Sequence, residues 1–201
     1  HLALLALDIG PGDYVAMPTF VCSALLHAAQ HVQANPLLID IDPLTLSIDP
    51  DTPTLTSATA VIAPHMFGRS VDLDRILSLN MPLIEDCAMA IGARYKGTPL
   101  GSHGDIGVFS FYATKVLCAG EGGALATSDP DIADRIKDLR DYDGRTDANP
   151  RFNYKLTDLQ AAIARVQLCK LDSLIDHRRR LGQHYSNELS KTAARLPEFG
   201  P

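Results

Sequence analysis

The sequence contains no CxxC pair, no long apolar run and no motif for binding a dinucleotide or a nucleoside triphosphate. Its four cysteines are too widely spaced to suggest a zinc site or a redox pair, so we expect buried, reduced thiols and no metal. Those cysteines are Cys22, Cys87, Cys118 and Cys169. The glycines of the chain match neither GxGxxG nor GxxxxGK[ST], which argues against simple binding of either nucleotide class.

The sequence also gives no indication of a membrane or nucleic-acid partner. No apolar run reaches the roughly 18 residues that a membrane-spanning helix needs, and no charged-then-apolar segment opens the chain, so we expect a cytoplasmic protein. The net charge is -6, and the basic residues are scattered apart from the cluster Arg178, Arg179 and Arg180. This cluster is typical of a solvated helix face, and we expect no nucleic-acid partner.

The composition is that of a globular protein with a substantial core, since 46% of the 201 residues are apolar and 21% are charged. Short apolar runs bounded by turn residues begin near positions 14, 36, 60, 81, 106 and 123. Helix-like segments lie between several of them, which predicts an α/β fold of three layers, α/β/α, with a mostly parallel sheet. The last two runs are joined by a glycine turn without a helix, so we expect a mixed sheet with one antiparallel pair.

After Asp129 the sequence pattern is typical of helices and no longer of short strands. A capping aspartate followed by Pro130 predicts a helix there. Thr157 and Gln160 have capping-box spacing and precede apolar residues at near-helical intervals, which predicts one long helix leaving the sheet. We therefore expect a large domain over 1–156 and a long helix over 157–201 that leads towards a further, smaller domain.

Both ends of the chain look interrupted. The opening segment "HLALLALDIGPGD" is typical of the second half of an amphipathic helix that stops at Gly10 and Pro11. The closing segment "LPEFGP" resembles the entry to another element. These features predict a piece of a longer protein. An alternative is a portion whose gaps are disordered loops, which an intact mass would distinguish.

Polar residues that end apolar strands are the first candidates for a site, because ligands of open α/β sheets bind outside the carboxyl ends of the strands. His65 ends one such run, and the pair Glu85 and Asp86 ends another. Acidic residues at such positions are also common helix caps, and a lone histidine is often only a hydrogen-bonded loop residue. Position alone does not decide between a functional role and a structural role for these residues.

Lys115 follows a third strand, and it lies in the stretch "SFYATKVLCAGEGGALATS". Ser110 precedes it, and glycines that permit a close backbone turn follow it. A lysine, a carboxylate and a serine at neighbouring strand ends suit pyridoxal 5'-phosphate. Its aldehyde reacts with a lysine amine, its pyridine nitrogen needs an anionic partner, and its phosphate needs hydroxyl and backbone donors.

Three segments carry a resemblance to a known family: "IEDCAMAIGA", "GDIGVFSFYATKVLCAGEGGALATSD" and "NYKLTDLQAA". They resemble the DegT/DnrJ/StrS sugar aminotransferases, which are pyridoxal-phosphate enzymes of fold type I. The similarity continues in order through "MPTFVCSALLHAA", "LLIDID" and "PHMFGRSVDLDRI". It implies that the sheet is the large domain of such an enzyme, incomplete at both ends.

The resemblance implies roles for individual residues. Lys115 would form the Schiff base and move the proton, Asp86 would pair with the pyridine nitrogen, and Ser110 would bind the phosphate. Phe20 aligns with an aromatic residue beside the cofactor ring, and Asn153 with an asparagine that reaches the other subunit's phosphate. A further cofactor contact falls on Met89, where the family usually has glutamine or histidine. A thioether cannot donate a hydrogen bond there.

The same resemblance implies an aminotransferase that moves an amino group from an amino acid, usually glutamate, to a keto sugar that is usually nucleotide-linked. It also implies a homodimer. A minority of the family has histidine at the lysine position and acts as dehydratases, so Lys115 favours transamination. The alternative is a relative that keeps the fold for regulation or dimerisation without turnover.

Overall fold

The structure is a computed structural model that describes residues 1–43 and 45–194. Its strands are β1 (Tyr14–Pro18), β2 (Asn35–Ile39), β3 (Ala60–Pro64), β4 (Leu83–Asp86), β5 (Arg94–Tyr95), β6 (Thr98–Pro99), β7 (Ile106–Ser110) and β8 (Gly123–Ala126). Its α-helices are α1 (Leu2–Ala6), α2 (Ala24–His31), α3 (Leu73–Leu77), α4 (Pro130–Leu139), α5 (Asp158–Leu168) and α6 (Leu171–Leu189). Each of the six apolar runs that predicted a strand forms one.

The main sheet has six strands in the order β2-β1-β3-β4-β7-β8. Strands β2, β1, β3, β4 and β7 pair in parallel, and β8 pairs antiparallel with β7, with Ser110 opposite Gly123. The predicted mixed sheet is therefore confirmed. Its antiparallel edge arises because a glycine turn, rather than a crossover helix, connects β7 to β8.

Successive strand residues face opposite sides of the sheet, and each side has its own apolar core. Val15 and Met17 belong to one core, and Ala16 between them belongs to the other. Helices α1, α2 and α4 contribute buried residues to the first core, and α3 contributes to the second. The three-layer arrangement is thus confirmed, and it explains why β3 is buried along its whole length.

The predicted capping residues begin two of the helices. Asp129 accepts hydrogen bonds from the backbone N–H groups of Asp131 and Ile132 at the start of α4. Thr157 accepts from the N–H of Gln160 at the start of α5, and its hydroxyl donates to the Gln160 side chain. Side-chain oxygens thereby satisfy N–H groups that have no partner within the helix.

The prediction of one long helix after residue 157 is wrong, because two helices form. The apolar spacing between Val166 and Leu171 is longer than one helical turn, and α5 ends in this interval at Leu168. Lys170 then donates its N–H to Gln167, a tighter turn than the α-helical pattern. Helix α6 continues from Leu171 to Leu189. The part of the predicted unit beyond residue 194 lies outside the described residues.

The first helix also ends earlier than the glycine and proline predicted. Helix α1 stops at Ala6, and Asp8 adopts a left-handed backbone conformation with φ of 59°. Aspartate tolerates this conformation better than most residues, so it reverses the chain before Gly10.

The cysteines differ in part from expectation. All four are free thiols, and Cys87 is buried, but Cys22 and Cys169 are exposed. The expectation of buried thiols is wrong for these two, because Cys22 lies in the loop before α2 and Cys169 in the turn between α5 and α6. None of the helices in the described ranges is long and apolar enough to cross a membrane.

Candidate functional site

The parallel strands bring several predicted site residues to one edge of the sheet, which we call the carboxyl edge. Asp86 ends β4 and Ser110 ends the neighbouring strand β7, where Asp86 is paired with Val108. Lys115 follows in the loop after β7. Burial raises the pKa of Asp86, while the positive charge of Lys115 acts in the opposite direction. The two side chains are therefore close enough for their charges to interact.

The loop after β7 folds back on itself and holds Ser110 and Lys115 in one turn. The N–H of Lys115 donates to the carbonyl of Tyr112 at 2.9 Å, and the N–H of Tyr112 donates to Ser110 Oγ at 3.3 Å. The turn closes where Phe111 donates its N–H to Gly122, whose φ of 127° is readily available only to glycine. The predicted close glycine turn is present.

The side chain of Asp86 has one hydrogen bond within the described ranges, from the N–H of Ala88 to Oδ1 at 2.9 Å, and it takes part in no ion pair there. Two large apolar side chains stay exposed beside this edge. Phe20 follows the end of β1 and is 48% exposed, and Met89 follows Asp86 and is 40% exposed. The edge therefore combines unused hydrogen-bonding capacity with uncovered apolar surface.

Asn153 is not hydrogen-bonded to the Asp86 and Lys115 group within the described part of the chain. Its segment forms an isolated β-bridge with Asp141 next to the end of α4. Arg151 holds this segment, because its guanidinium is nearly buried and donates to both Asp138 and Asp147. These ion pairs raise the pKa of Arg151 and hold the segment of the exposed Asn153 next to the end of α4.

Glu85 lies on β4 beside Asp86 but has a different environment. Its side chain is fully buried and accepts hydrogen bonds from the N–H groups of Gly101, His103 and Gly104 at 2.7 to 2.9 Å. Burial alone would raise the pKa of Glu85, but His65 and these three N–H groups lower it to about 2. Glu85 is an ionised anchor for the turn that precedes β7, and not a member of the open site.

His65 completes this buried group. Its Nε2 lies 3.0 Å from Glu85 Oε2, and because the Glu85 carboxylate is ionised, we assign the shared proton to Nε2. His65, Glu85 and Cys87 place possible metal-ligand atoms close together. Hydrogen bonds already occupy both Glu85 oxygens, however, and burial raises the pKa of the Cys87 thiol. Hydrogen bonding thus accounts for both Glu85 oxygens without a metal, whereas His65 Nδ1 is buried and has no hydrogen-bond partner among the described residues.

Sequence reasoning missed a second set of residues near this edge. Arg178 and Arg179 are exposed, as a solvated helix face would be, but both also line a groove between α6 and the turn after Asp86. The helical spacing of Ile175, Arg178, Arg179 and Gly182 places them on one face of α6. That spacing was readable in the sequence, whereas the element that this face meets was not.

Comparison with known proteins adds to this geometry. The fold is similar to that of an aminotransferase, TlmJ from Streptoalloteichus hindustanus, with a TM-score of 0.93 and 31% identity, over 100% of this chain and 58% of that one. The model of the DegT/DnrJ/EryC1/StrS aminotransferase family matches residues 1–199. The chain belongs to this family. The resemblance seen in the sequence is confirmed.

Two curated relatives and one further structure are informative. GDP-perosamine synthase from Caulobacter vibrioides is 37% identical over 98% of this chain and 56% of its own length. A UDP-N-acetyl-3-dehydro-alpha-D-glucosamine 3-aminotransferase from Acidithiobacillus ferrooxidans is 36% identical over the same shares. The PLP-form of a sugar aminotransferase from Streptococcus pneumoniae, Spr1654, matches with a TM-score of 0.85 and 26% identity, over 94% of this chain and 57% of that one. The chain spans a little over half the length of these relatives.

Proposed function

We propose that the protein to which this chain belongs is a pyridoxal-phosphate-dependent aminotransferase. It moves an amino group from an amino acid, glutamate in the simplest case, to a nucleotide-linked keto sugar. Family membership and the names of the relatives support this activity. The observation that carries it is the placement of Lys115 beside Asp86, a carboxyl that has one hydrogen bond and whose pKa is raised by burial.

The residues at the carboxyl edge fit pyridoxal phosphate. A half-buried carboxyl without an ion-pair partner in the described ranges favours a cationic group beside it, and a protonated pyridine nitrogen is such a group. Ser110 accepts a hydrogen bond from Tyr112, which leaves its hydroxyl proton available for a phosphate oxygen. The exposed Phe20 offers an aromatic face to a flat ring.

When bound, the cofactor supplies an aldehyde for the amino group and a ring that withdraws electrons. The ε-amine of Lys115 would hold that aldehyde as an imine, with loss of water, until the amino donor displaces it; the freed amine would then take the α-proton of the donor and return it to the carbon that carried the aldehyde. Asp86 keeps its negative charge beside the ring nitrogen and so holds a proton on that nitrogen. Ser110 orients the phosphate. Each of these roles is part of the proposal.

Two further contacts complete the proposed site. Met89 contacts the cofactor ring through its thioether, without the hydrogen bond that a glutamine would donate. Asn153 serves a second copy of the chain, because it is exposed and is not hydrogen-bonded to its own carboxyl edge within the described residues, and this role requires a homodimer. We assign 1–156 to the cofactor-binding domain and the helices from residue 157 to the connection with a smaller domain.

The covalent contact with Lys115 provides a direct test. The purified chain is incubated with pyridoxal phosphate, reduced with borohydride and digested, and the modified peptide is located by mass spectrometry. We expect the modification on Lys115 and its loss in Lys115→Ala. Lys137→Ala is the matched control, because Lys137 is an exposed lysine on α4 and should not affect the labelling.

Asp86→Asn should weaken cofactor binding at least tenfold, because a neutral amide no longer favours a cationic ring. Addition of glutamate should release 2-oxoglutarate from the loaded wild-type chain in a single turnover. Modification of several lysines in proportion to their exposure would refute the assignment of Lys115. Specific labelling without 2-oxoglutarate release would instead favour the relative that keeps the fold and has no turnover.

A further inference from the structure

The loop that carries Lys115 is closed at its base by Phe111, and we call residues 111–122 the Lys115 loop. The N–H of Phe111 donates to the carbonyl of Gly122 at 2.8 Å, and its carbonyl accepts the N–H of Ala119 at 2.8 Å. Gly122 therefore lies at the point where the loop returns to the sheet. A contact that holds Gly122 in place also fixes the base of the turn that contains Lys115.

Leu156 packs directly against this closing point. A Cβ built on Gly122 would lie 2.5 Å from Leu156 Cδ1, whereas Phe111 Cδ2 would be 3.8 Å away. Because only glycine readily adopts the φ of 127° found here, no Cβ separates the two residues and Leu156 contacts the backbone of the turn. Leu156 belongs to a different part of the chain, the connection between α4 and α5.

The segment that ends at Leu156, residues 151–156, is anchored at its other end by Arg151, and we call it the strap. The Nε of Arg151 donates to both oxygens of Asp138 on α4 at 3.0 Å, and its Nη atoms donate to the two oxygens of Asp147 at 2.6 and 3.0 Å. The side chain of Arg151 is only 6% exposed. Because this fork binds two carboxylates, it fixes the orientation of the guanidinium more firmly than a single exposed ion pair does.

Backbone hydrogen bonds join the middle of the strap to the end of α4. The N–H of Phe152 donates to the carbonyl of Leu139 at 2.8 Å, and the N–H of Tyr154 donates to the carbonyl of Arg140 at 3.0 Å. The rings of Phe152 and Tyr154 stack with their centroids 4.9 Å apart. The strap is thus connected without interruption from its ion pairs to its contact with the Lys115 loop.

We propose that the strap holds the Lys115 loop closed, and that Arg151 and Leu156 are positioning residues for the ε-amine of Lys115. The inference rests on the proposed role of Lys115 and adds the residues that keep its amine in place. Leu156 acts on the loop by contact, and Arg151 acts through the strap. A shift of about 1 Å in a reacting group can lower a rate by about 100-fold, so a loosened loop should slow the reaction of Lys115 with an aldehyde.

Amide hydrogen exchange tests this link without any cofactor. The N–H groups of Lys115 and Ala119 donate within the loop at 2.9 and 2.8 Å, and both should be protected in the wild-type chain. We expect Arg151→Ala and Leu156→Ala each to speed their exchange about tenfold, because the loop opens locally more often. The amide of Gly101 lies outside the loop and the strap, and as the internal standard it should change less than about threefold.

Two matched variants separate the strap from a general loss of contacts. Leu159→Ala removes a leucine that is 80% exposed on α5, and Arg135→Ala removes an arginine of α4 that pairs with Asp8. Neither should change exchange in the Lys115 loop by more than about twofold. Leu156→Met keeps an apolar side chain of similar size, so it should retain the exchange of the wild-type chain.

The double variant Arg151→Ala/Leu156→Ala shows whether the two residues act through one element. If the strap transmits the effect of Arg151, removal of both side chains should speed exchange in the loop little more than removal of either one. Trapping of pyridoxal phosphate with borohydride then gives the rate at which Lys115 is modified. This rate should fall about fivefold in both single variants and stay unchanged in Leu156→Met.

Several outcomes would overturn the inference. They are exchange in the Lys115 loop that stays at the wild-type rate, exchange that rises equally at Gly101, fully additive effects of the two substitutions, and an unchanged rate of Lys115 modification. If the wild-type chain is modified at Lys115 while the loop does not respond to the variants, this inference is wrong and the proposed function stands. If Lys115 is not modified in the wild-type chain, the proposed function is wrong, and the positioning role of the strap is wrong with it.

Discussion

Glu85 and Asp86 are adjacent in the sequence, yet the two sides of the sheet on which they lie differ in almost every physical respect. On the buried side, Glu85 is fully enclosed and accepts four hydrogen bonds, from His65 and the turn 101–104. At the carboxyl edge, the carboxyl group of Asp86 accepts one, from Ala88. Their pKa values shift in opposite directions, down for Glu85 and up for Asp86.

This difference separates two uses of a carboxyl group at a strand end. The hydrogen-bonding capacity of Glu85 is satisfied by the chain itself, so Glu85 contributes to stability and has none left for a ligand. The capacity of Asp86 is largely unsatisfied, which costs stability and leaves it ready for a cationic partner. Exposure and hydrogen-bond count, rather than residue type, distinguish the two.

The largest expected effect on stability is that of Glu85→Gln. The amide loses the negative charge and turns a donor towards backbone N–H groups, so we expect the free energy of unfolding to fall by about 3 kcal/mol. Urea denaturation measures this. Glu188→Gln replaces an exposed glutamate and should change stability by less than about 0.5 kcal/mol. Equal losses in the two variants would remove the contrast between buried and open carboxyls.

The stabilising contribution of the ionised Glu85 should also appear as a pH dependence of the free energy of unfolding. The pKa of Glu85 is about 2 in the folded chain against an ordinary value of 4.5, so its contribution is complete above pH 4.5 and is lost as the pH falls towards 2. The loss is roughly 3 kcal/mol. The stability of Glu85→Gln should fall less steeply over this interval. Parallel acid curves for the variant and the wild type would contradict the low pKa.

A smaller effect is expected in the turn that Glu85 anchors. Gly101 has φ of 89°, and an added Cβ would lie 2.5 Å from Phe109 Cζ and 3.1 Å from Cys87 Sγ, so Gly101→Ala should cost about 2 kcal/mol. Gly97→Ala is the matched control, because its φ is 85° but its surroundings are open. It carries the backbone strain alone and should cost about 1 kcal/mol. If thermal unfolding gave equal losses, crowding against Phe109 would be unimportant.

Control variants apart, the smallest change in stability is expected for Asp86→Asn. The amide oxygen can still accept the N–H of Ala88, and the variant no longer buries a charge, so stability at pH 7 should stay within about 1 kcal/mol or rise slightly. Because the pKa of Asp86 is raised, its charge opposes folding above the ordinary value of 3.8 and this penalty disappears as the pH falls. A loss as large as that of Glu85→Gln would place Asp86 among the structural residues.

Much of this arrangement could be predicted from the sequence. Apolar runs gave the strands, and the rule that ligands bind at carboxyl ends pointed to Asp86 and Lys115. Local capping chemistry gave the starts of α4 and α5, because Asp129 and Thr157 act on N–H groups only a few residues away. Strand position did not distinguish Glu85 from Asp86, and only the family resemblance selected Asp86, because the N–H donors that satisfy Glu85 come from residues 101–104.

The sequence-based predictions that were wrong or incomplete share one cause. Each depends on contacts between residues that are distant in the sequence. The helix break near Lys170 involves no glycine or proline and leaves only an irregular apolar interval as a signal. The exposure of Cys22 depends on how its loop lies on the sheet. Arg178 was recognised as exposed, but the groove that it lines exists only because α6 passes over the turn near Gly92.

The buried carboxylate also has a consequence for how the chain assembles. Its four partners are His65, which follows β3, and three N–H groups of the turn before β7. The hydrogen bonds of Glu85 are therefore complete only when β3, β4 and that turn have come together. Because these contacts join segments that are distant in the sequence, we expect the centre of the sheet to fold and unfold cooperatively. The amide hydrogens of Gly101, His103 and Gly104 should therefore exchange with solvent only through global unfolding, although they lie in a loop.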